Sequence, residues 1–235
     1  MKAIKTLLIV LVVIVVVVVG GVGIVVSTVD PNDYKEQISA QVREATGREL
    51  QLDGPLELAL WPKISLKAGP VSLSNAEGFG DEPFFAADNI QVAVATLPLL
   101  SSRVEMDKVI LHGLAINLAR NAAGGTNWDD LAGGEPAEEE HGGGGLAAFV
   151  LGGVDIKDAR ISFSDASTEQ NVSLSNINVS TGPLTFGDPV AFNMSLTAQS
   201  NQPALDSDMT LNATLSYNLD DEHYVISPLA FNALM

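Results

Sequence analysis

The stretch GRELQLDGPLELALWPKISLKAGPVSL (residues 47–73) alternates between apolar and polar side chains. Seven of its eight leucine and isoleucine residues fall on even positions: Leu50, Leu52, Leu56, Leu58, Leu60, Ile64 and Leu66. Polar residues such as Asp53, Glu57 and Lys67 fall on odd positions. Because successive side chains of a β-strand point to opposite faces, this period of two predicts strands with one wholly apolar face.

The apolar face of these strands needs a cover. Burying one such side chain is worth about 2 kcal/mol, so leaving the whole set in water would forfeit a free energy comparable with the stability of a domain. Three covers are open: a second sheet, as in a β-sandwich, a protein partner, or lipid acyl chains. Periodicity does not separate them, although an aromatic content of only 6% slightly favours flexible chains over a sandwich core.

The N-terminal segment predicts a membrane anchor over residues 1–29. Between residues 7 and 26 every residue is Leu, Ile or Val, including Leu7, Val13, Val19 and Val25, apart from three glycines. This run is long enough for a helix to cross a hydrocarbon core of about 30 Å. A cleaved signal peptide is the alternative, but no A-x-A-like site precedes Asp30.

The part of the chain after the anchor divides into three predicted regions. Residues 30–47 indicate one short helix, with Asp30 as N-cap, Pro31 in the first turn and Gly47 as the stop. This helix opens a predicted domain over residues 30–120, which continues as sheet. A flexible loop rich in glycine and acids covers 121–148, and 149–235 continues the sheet.

The alternating pattern returns near the C-terminus of the chain. In LDSDMTLNATLSYNL (residues 205–219), Leu211 and Leu215 lie on the apolar phase, while Asp208, Asn212 and Ser216 lie on the polar phase. We therefore expect both halves of the soluble part to form sheets with one apolar and one polar surface.

Composition and motifs disfavour nucleic-acid binding and catalysis. After subtraction of Lys2 and Lys5 from the 12 basic residues, 10 basic residues stand against 29 acidic ones from Asp30 onward, a balance that repels phosphate backbones. The chain has no cysteine, and its three histidines show no metal-ligand spacing. Trp128 and Asp129 in TNWDDL indicate a local turn rather than a catalytic site. We expect no enzyme activity, cofactor or metal.

Several segments in order resemble the AsmA family of Gram-negative envelope proteins. They are the anchor, the stretch from VDPNDYKEQISAQVREATG through SNAEGF, FFAADNIQVAVATLPLLSSRVEMDKVILHGLAINLARN, TNWDDL and GVDIKDARISFSD. The resemblance implies a single-pass inner-membrane protein with a periplasmic, curled antiparallel sheet that forms a hydrophobic groove. It provides no catalytic residues to carry over.

The same resemblance implies a function. AsmA-like proteins are related to bridge-type lipid-transfer proteins, so we expect phospholipid acyl chains and the inner membrane as partners, and a role in phospholipid transport and outer-membrane biogenesis. The alternative is a membrane-tethered β-sandwich scaffold that contacts envelope assembly factors without carrying lipid. Family members are generally longer, and we expect that this sequence is truncated at SPLAFNALM.

Overall fold

The computed structural model describes residues 30–59, 63–95, 105–132, 150–184, 188–218 and 223–234. A 3-10 turn, Pro31–Tyr34, precedes the helices α1 (Lys35–Thr46) and α2 (Asp129–Ala132). The strands are β1 (Leu50–Leu52), β2 (Leu56–Ala59), β3 (Lys63–Ala68), β4 (Val71–Leu73), β5 (Phe85–Ala87), β6 (Asn89–Ala95), β7 (Glu105–Met106), β8 (Val109–His112), β9 (Ala115–Arg120), β10 (Val150–Leu151), β11 (Val154–Asp165), β12 (Gln170–Thr181), β13 (Val190–Asn201), β14 (Ala204–Asn218) and β15 (His223–Leu234).

The predicted membrane anchor, residues 1–29, lies outside the described residues. Among the residues that are described, no helix is both long and apolar enough to cross a membrane.

All the strands of the described residues belong to one open, 15-stranded sheet, so the predicted mainly-β class is confirmed. Two branches, β1–β4–β5–β9 and β2–β3–β6–β8, meet at β11, and β12 to β15 follow in chain order. The resemblance implied an antiparallel sheet, but three of the pairings are parallel. Because the connection after β9 returns the chain to the same end of the sheet, β11 runs parallel to both β8 and β9. The short strands β7 and β10 are parallel for the same reason.

The predicted soluble helix, α1, forms where the capping residues predict it. Asp30 Oδ1 accepts a hydrogen bond from the backbone N–H of Asn32 at 2.9 Å, and Gly47 ends α1 with a φ of 73°. The first turn is 3-10 rather than α-helical. No residue of α1 is fully buried, so the helix does not cover the apolar face of the sheet.

Instead, the 3-10 turn and α1 together cover the edge of the sheet that β1 and β2 form. The Asn32 amide pairs with the backbone of Leu56, donating from Nδ2 at 3.1 Å and accepting at Oδ1 from the Leu56 N–H at 2.9 Å. Lys35 Nζ donates to the carbonyl of Gly54 at 2.7 Å, and Ser39 Oγ donates to that of Leu50 at 2.8 Å. Side chains of this segment thus satisfy edge groups that a further strand would otherwise bind.

The N-terminal strands are interrupted at one common level. Gly54 separates β1 from β2, Gly69 and Pro70 separate β3 from β4, and Asp88 separates β5 from β6. The Gly54 N–H donates to the carbonyl of Pro70 at 3.3 Å. A Cβ atom at Gly54 would lie 0.9 Å from the Gly69 carbonyl oxygen, so only glycine fits this contact between the two backbones.

The polar phase of β14 faces solvent at Asp208 and Asn212, as the alternation predicts, but the pattern of exposure is reversed at Leu215 and Ser216. Asp208 and Asn212 are exposed and Ser216 is half-buried, whereas Met209 and Leu211 between them are half-buried. We expect exchanges between polar residues here, such as Asn212→Ser and Ser216→Thr, to change the free energy of unfolding by less than about 0.5 kcal/mol. Chemical denaturation checks this, and a loss of several kcal/mol at either position would contradict the register.

Candidate binding surface

Apolar side chains form a continuous row across the whole sheet. Cross-strand pairing places one residue from each of β2, β3, β6, β8, β11, β12, β13, β14 and β15 side by side: Leu56, Ala68, Ile90, Leu111, Ile156, Val179, Met194, Leu211 and Phe231. With strands about 4.8 Å apart, such a row is about 40 Å long. We call the surface that carries it the apolar face.

A second row runs along the other branch of the same face. Its members are Leu50, Leu73, Phe85, Ile116, Ile161, Leu174, Ala198 and Ser207. Ser207, its one polar member, is 2% exposed, and its Oγ has no hydrogen-bond partner among the described residues. Two rows of this kind make the apolar face a band rather than a single stripe.

The residues predicted to line the groove lie on this face, except Leu60, which falls outside the described residues. Besides Leu50, Leu56 and Leu211, which belong to the two rows, the remaining pairs are Leu52 with Val71, Leu58 with Leu66, Ile64 with Val94, and Leu215 with Val190. Their occupant stays a prediction.

The two halves of the apolar face differ in exposure. In the N-terminal half, Ile64 is 4% and Val94 is 3% exposed, and Val94 belongs to a cluster with Val92, Met106 and Val109. In the C-terminal half, Leu215 is 39% and Phe231 is 60% exposed. Ile64, Val94 and their cluster are therefore packed core, whereas Leu215 and Phe231 present apolar side chains to solvent. The second row remains buried in the C-terminal half at Ala198 and Ser207.

The opposite face of the C-terminal strands is polar. One of its rows joins Asp155, Ser180, Asn193 and Asn212 across β11 to β14. From residue 161 to residue 235 the sequence contains no lysine or arginine. The strands β12 to β15 therefore contribute no lysine or arginine side chain of their own to either face.

A buried arginine, which the sequence analysis did not single out, fixes the connection that follows β9. Arg48 is 2% exposed and binds Asp130 in a bidentate pair, with Nε–Oδ2 at 2.9 Å and an NH2–Oδ1 distance of 2.6 Å. It also donates to the carbonyl oxygens of Asn127 and Ser74. Its guanidinium carbon lies 4.6 Å from the ring centroid of Phe84, which adds a cation–π contact.

Asn127 anchors the same connection to the sheet. Its side chain is fully buried; Oδ1 accepts from the Ala119 N–H, and Nδ2 donates to Asn75 Oδ1 and the Asn117 carbonyl, each at 2.8 Å. The neighbouring Trp128 ring packs against Phe163 at a centroid distance of 6.4 Å. Connection residues and sheet are therefore held together by a polar network with an aromatic contact beside it.

The TNWDDL segment forms the local turn that its sequence indicates. Asp129 accepts hydrogen bonds from the backbone N–H and the hydroxyl of Thr126. These bonds, together with those that Arg48 and Asn127 make, use the polar groups of the segment to hold the chain in place. Within the described ranges, no group of three or more His, Asp or Glu side chains is placed to bind a metal ion.

Electrostatics at Asp130 depend on Arg48. Burial raises the pKa of the Asp130 carboxyl. The hydrogen bond and the positive charge of Arg48 together lower this pKa by more than burial raises it, so that the net shift is downward. The carboxylate therefore remains ionised at neutral pH, in keeping with a structural ion pair.

Comparison with known proteins matches almost the entire chain to one family. The model described as "AsmA family" matches residues 1–224. A curated relative, Protein AsmA of Escherichia coli (strain K12), is 41% identical over 98 residues. That alignment covers 42% of this chain and 16% of the relative, so the matched part is a small portion of the longer protein.

Proposed function

The chain belongs to the AsmA family, and from that premise we propose that its apolar face binds phospholipid acyl chains during phospholipid transport and outer-membrane biogenesis. The protein acts at the Gram-negative cell envelope, tethered to the inner membrane by residues 1–29. It performs no chemistry on the lipid.

The continuity of the apolar face is the observation that carries this proposal. The row from Leu56 to Phe231 contains only Leu, Ile, Val, Ala, Met and Phe across nine strands. Its C-terminal half exposes large side chains such as Leu215 and Phe231. Monomeric soluble proteins rarely leave contiguous apolar surface of this extent in water. Acyl chains suit a long aliphatic surface because they adapt to it without fixed shape.

A scaffold that contacts envelope assembly factors is the second candidate. It rests on the same exposed side chains, because a protein partner would also bury Leu215 and Phe231. The two functions differ in whether diacyl lipid alone occupies the face.

Two adjacent residues of β14 offer a matched test. Leu211 lies on the apolar face between Met194 and Phe231, and Asn212 is exposed on the polar face. Leu211→Asp and Asn212→Asp add the same charge to the same strand, one on each face. We expect Leu211→Asp to abolish most cross-linking of the full chain to a phospholipid with a photoactivatable acyl chain, because a carboxylate is costly to bury beside hydrocarbon. Asn212→Asp should retain it.

Circular dichroism of both variants shows whether the sheet remains. Equal cross-linking of the wild type and a folded Leu211→Asp variant would contradict lipid binding at this face. Capture of an envelope protein without any lipid cross-link would support the scaffold instead.

Topology provides a separate prediction for the anchor. Lys2 and Lys5 precede the apolar run and Asp30 follows it, which favours a cytoplasmic N-terminus and a periplasmic sheet. We expect the protein isolated from membranes to begin at or near Met1. N-terminal sequencing checks this, and a mature terminus near residue 30 would contradict retention of the anchor.

A further inference from the structure

The apolar face ends in a row of polar residues at one end of β9, β11 and β12. Arg120 on β9 lies beside Asp165 on β11, which pairs in turn with Gln170 on β12. These residues share the strand phase of Phe163, which follows Ile161 of the second row by two positions. Arg120, Asp165 and Gln170, which we call the rim row, therefore lie where the apolar face ends.

Arg120 is the one cation that the described strands place on the apolar phase. The other lysine and arginine residues of these strands fall on the polar phase: Lys63, Lys67, Lys157 and Arg160. The Arg120 side chain is 48% exposed, and its NH1 lies 3.6 Å from Asp165 Oδ2, beyond ordinary hydrogen-bond length. Asp165 Oδ1 already accepts from the N–H and the hydroxyl of Ser167, at 2.8 Å and 2.6 Å. A guanidinium has five N–H donors, so Arg120 keeps donors for a ligand.

Two carboxylates accompany Arg120 at this end of the apolar face. Asp165 pairs with it directly, and Asp129 lies exposed at the start of α2. Hydrogen bonds from Thr126 are the main cause that lowers the pKa of Asp129, and the positive charge of Arg120 contributes to the lowering. Both carboxylates therefore remain ionised at neutral pH. One positive and two negative charges lie together here, so the surroundings of Arg120 suit a ligand that itself carries both signs of charge.

The apolar face beside the rim row is long enough for an acyl chain. From Phe163 to Ile156, β11 spans about 20 Å, at roughly 3.3 Å per residue. An acyl chain spans half of a hydrocarbon core of about 30 Å, that is about 15 Å. The side chains along this path on β11 and β12 are all apolar: Phe163, Ile161, Ala159, Ile156, Val172, Leu174, Ile177 and Val179. A headgroup at the rim row therefore leaves its acyl chains on hydrocarbon.

We propose that Arg120 and Asp129 select a zwitterionic phospholipid headgroup, a phosphodiester joined to a primary ammonium group, while the acyl chains lie on the apolar face. Arg120 binds the phosphodiester, because a guanidinium pairs with two phosphate oxygens at once. Asp129 accepts from the ammonium group, since a carboxylate has about four acceptor positions and Thr126 occupies only part of them. An anionic headgroup is repelled by the two carboxylates. This inference rests on the proposed lipid binding and adds the residues that choose the headgroup.

The test offers the full chain, in mixed micelles, three probes with the same photoactivatable acyl chain: phosphatidylethanolamine, phosphatidylglycerol and diacylglycerol. We expect the wild type to cross-link phosphatidylethanolamine about three- to tenfold more than either other probe. Arg120→Gln should lower phosphatidylethanolamine to the level of diacylglycerol and leave diacylglycerol itself unchanged. Arg120→Lys, which keeps the charge, should retain part of the preference.

Arg160→Gln is the matched control, because it removes the same charge from the polar phase of β11. It should leave the cross-linking of all three probes unchanged. Asp129→Asn removes the charge that attracts the ammonium group and repels an anionic headgroup. It should therefore bring phosphatidylglycerol and phosphatidylethanolamine to similar levels.

The diacylglycerol probe separates this inference from lipid binding as such. Equal cross-linking of the three probes to the wild type, or the same loss of phosphatidylethanolamine in Arg120→Gln and Arg160→Gln, would overturn the headgroup inference alone, provided that cross-linking still depends on Leu211. Failure of every probe to cross-link would overturn the proposed function with it. If Arg120→Gln loses diacylglycerol too, its sheet is disturbed and Asp129→Asn decides: an unchanged ratio between the two phospholipids then overturns the inference.

Discussion

Replacing Asp130 by alanine is expected to lower the free energy of unfolding by about 3 kcal/mol, although its side chain is 41% exposed. The reason lies with its partner. Arg48 is 2% exposed, and without Asp130 its charge stays buried with only carbonyl oxygens and the Phe84 ring as compensation. Arg48→Met removes the buried charge itself and should cost less, because the remaining Asp130 carboxylate can be hydrated.

The double variant Arg48→Met/Asp130→Ala distinguishes this account from simple loss of contacts. It should be more stable than Asp130→Ala alone, since no unpaired charge remains. Asp107→Ala is the matched control, because its ion pair with Lys63 at 2.6 Å is half exposed on both sides and should contribute under about 1 kcal/mol. Urea denaturation measures all four variants. A double variant less stable than Asp130→Ala would contradict the buried-charge explanation.

The same pair predicts a pH dependence. Since the folded-state pKa of Asp130 is lowered, its contribution to stability is present at neutral pH and is lost as the pH falls through that lowered pKa. The loss of stability below about pH 4 should therefore be smaller in Arg48→Met than in the wild type.

Gly54→Ala is expected to destabilise the protein by at least about 3 kcal/mol, at the upper end of what an added methyl group costs. The new Cβ would lie 0.9 Å from the carbonyl oxygen of Gly69 and 2.5 Å from the nitrogen of Pro70. Backbone atoms cannot rotate away as a side chain does, so the β1/β2 segment has to separate from β3/β4. Thermal melting and hydrogen exchange of the Asp53 and Gly54 amides, which donate to Pro70, measure this.

Gly182→Ala provides the control for the added methyl group. A Cβ at Gly182 would meet its nearest atom, the Ala191 nitrogen, at an ordinary 3.5 Å. We expect a change within about 0.5 kcal/mol. Equal melting temperatures for Gly54→Ala and Gly182→Ala would show that the two backbones are not in contact.

The period of two in the sequence predicts which side chains share a face, but not what lies against them. Leu56 and Leu215 have the same alternating pattern around them, yet Leu56 is 6% and Leu215 is 39% exposed. The difference depends on strand pairing across the branches of the sheet, and pairing partners distant in sequence leave no local signal. The parallel arrangement of β9 and β11 escaped prediction for the same reason.

Two buried charges did leave a signal in the sequence. Arg48 is on the even phase that otherwise holds Leu50 and Leu52. Asp165 shares the odd phase of Ile161 and Phe163, and it is 6% exposed beside Arg120 at 3.6 Å. A charge on an apolar phase indicates a buried, paired group. Its partner remains unpredictable, because Asp130 is 82 positions from Arg48.

The order of the strands has a consequence for folding kinetics. Most pairings join hairpins or near neighbours along the chain, such as β12 with β13 and β13 with β14. As the polypeptide emerges from the ribosome, each of these strands can pair with a neighbouring strand that has already been synthesised. The pairing of β11 with β9 and β8, like that of β10 with β7, requires closure of the long connection over residues 121–149, whose entropy must be lost before these ladder bonds form. We therefore expect this closure to set the rate at which the C-terminal strands assemble.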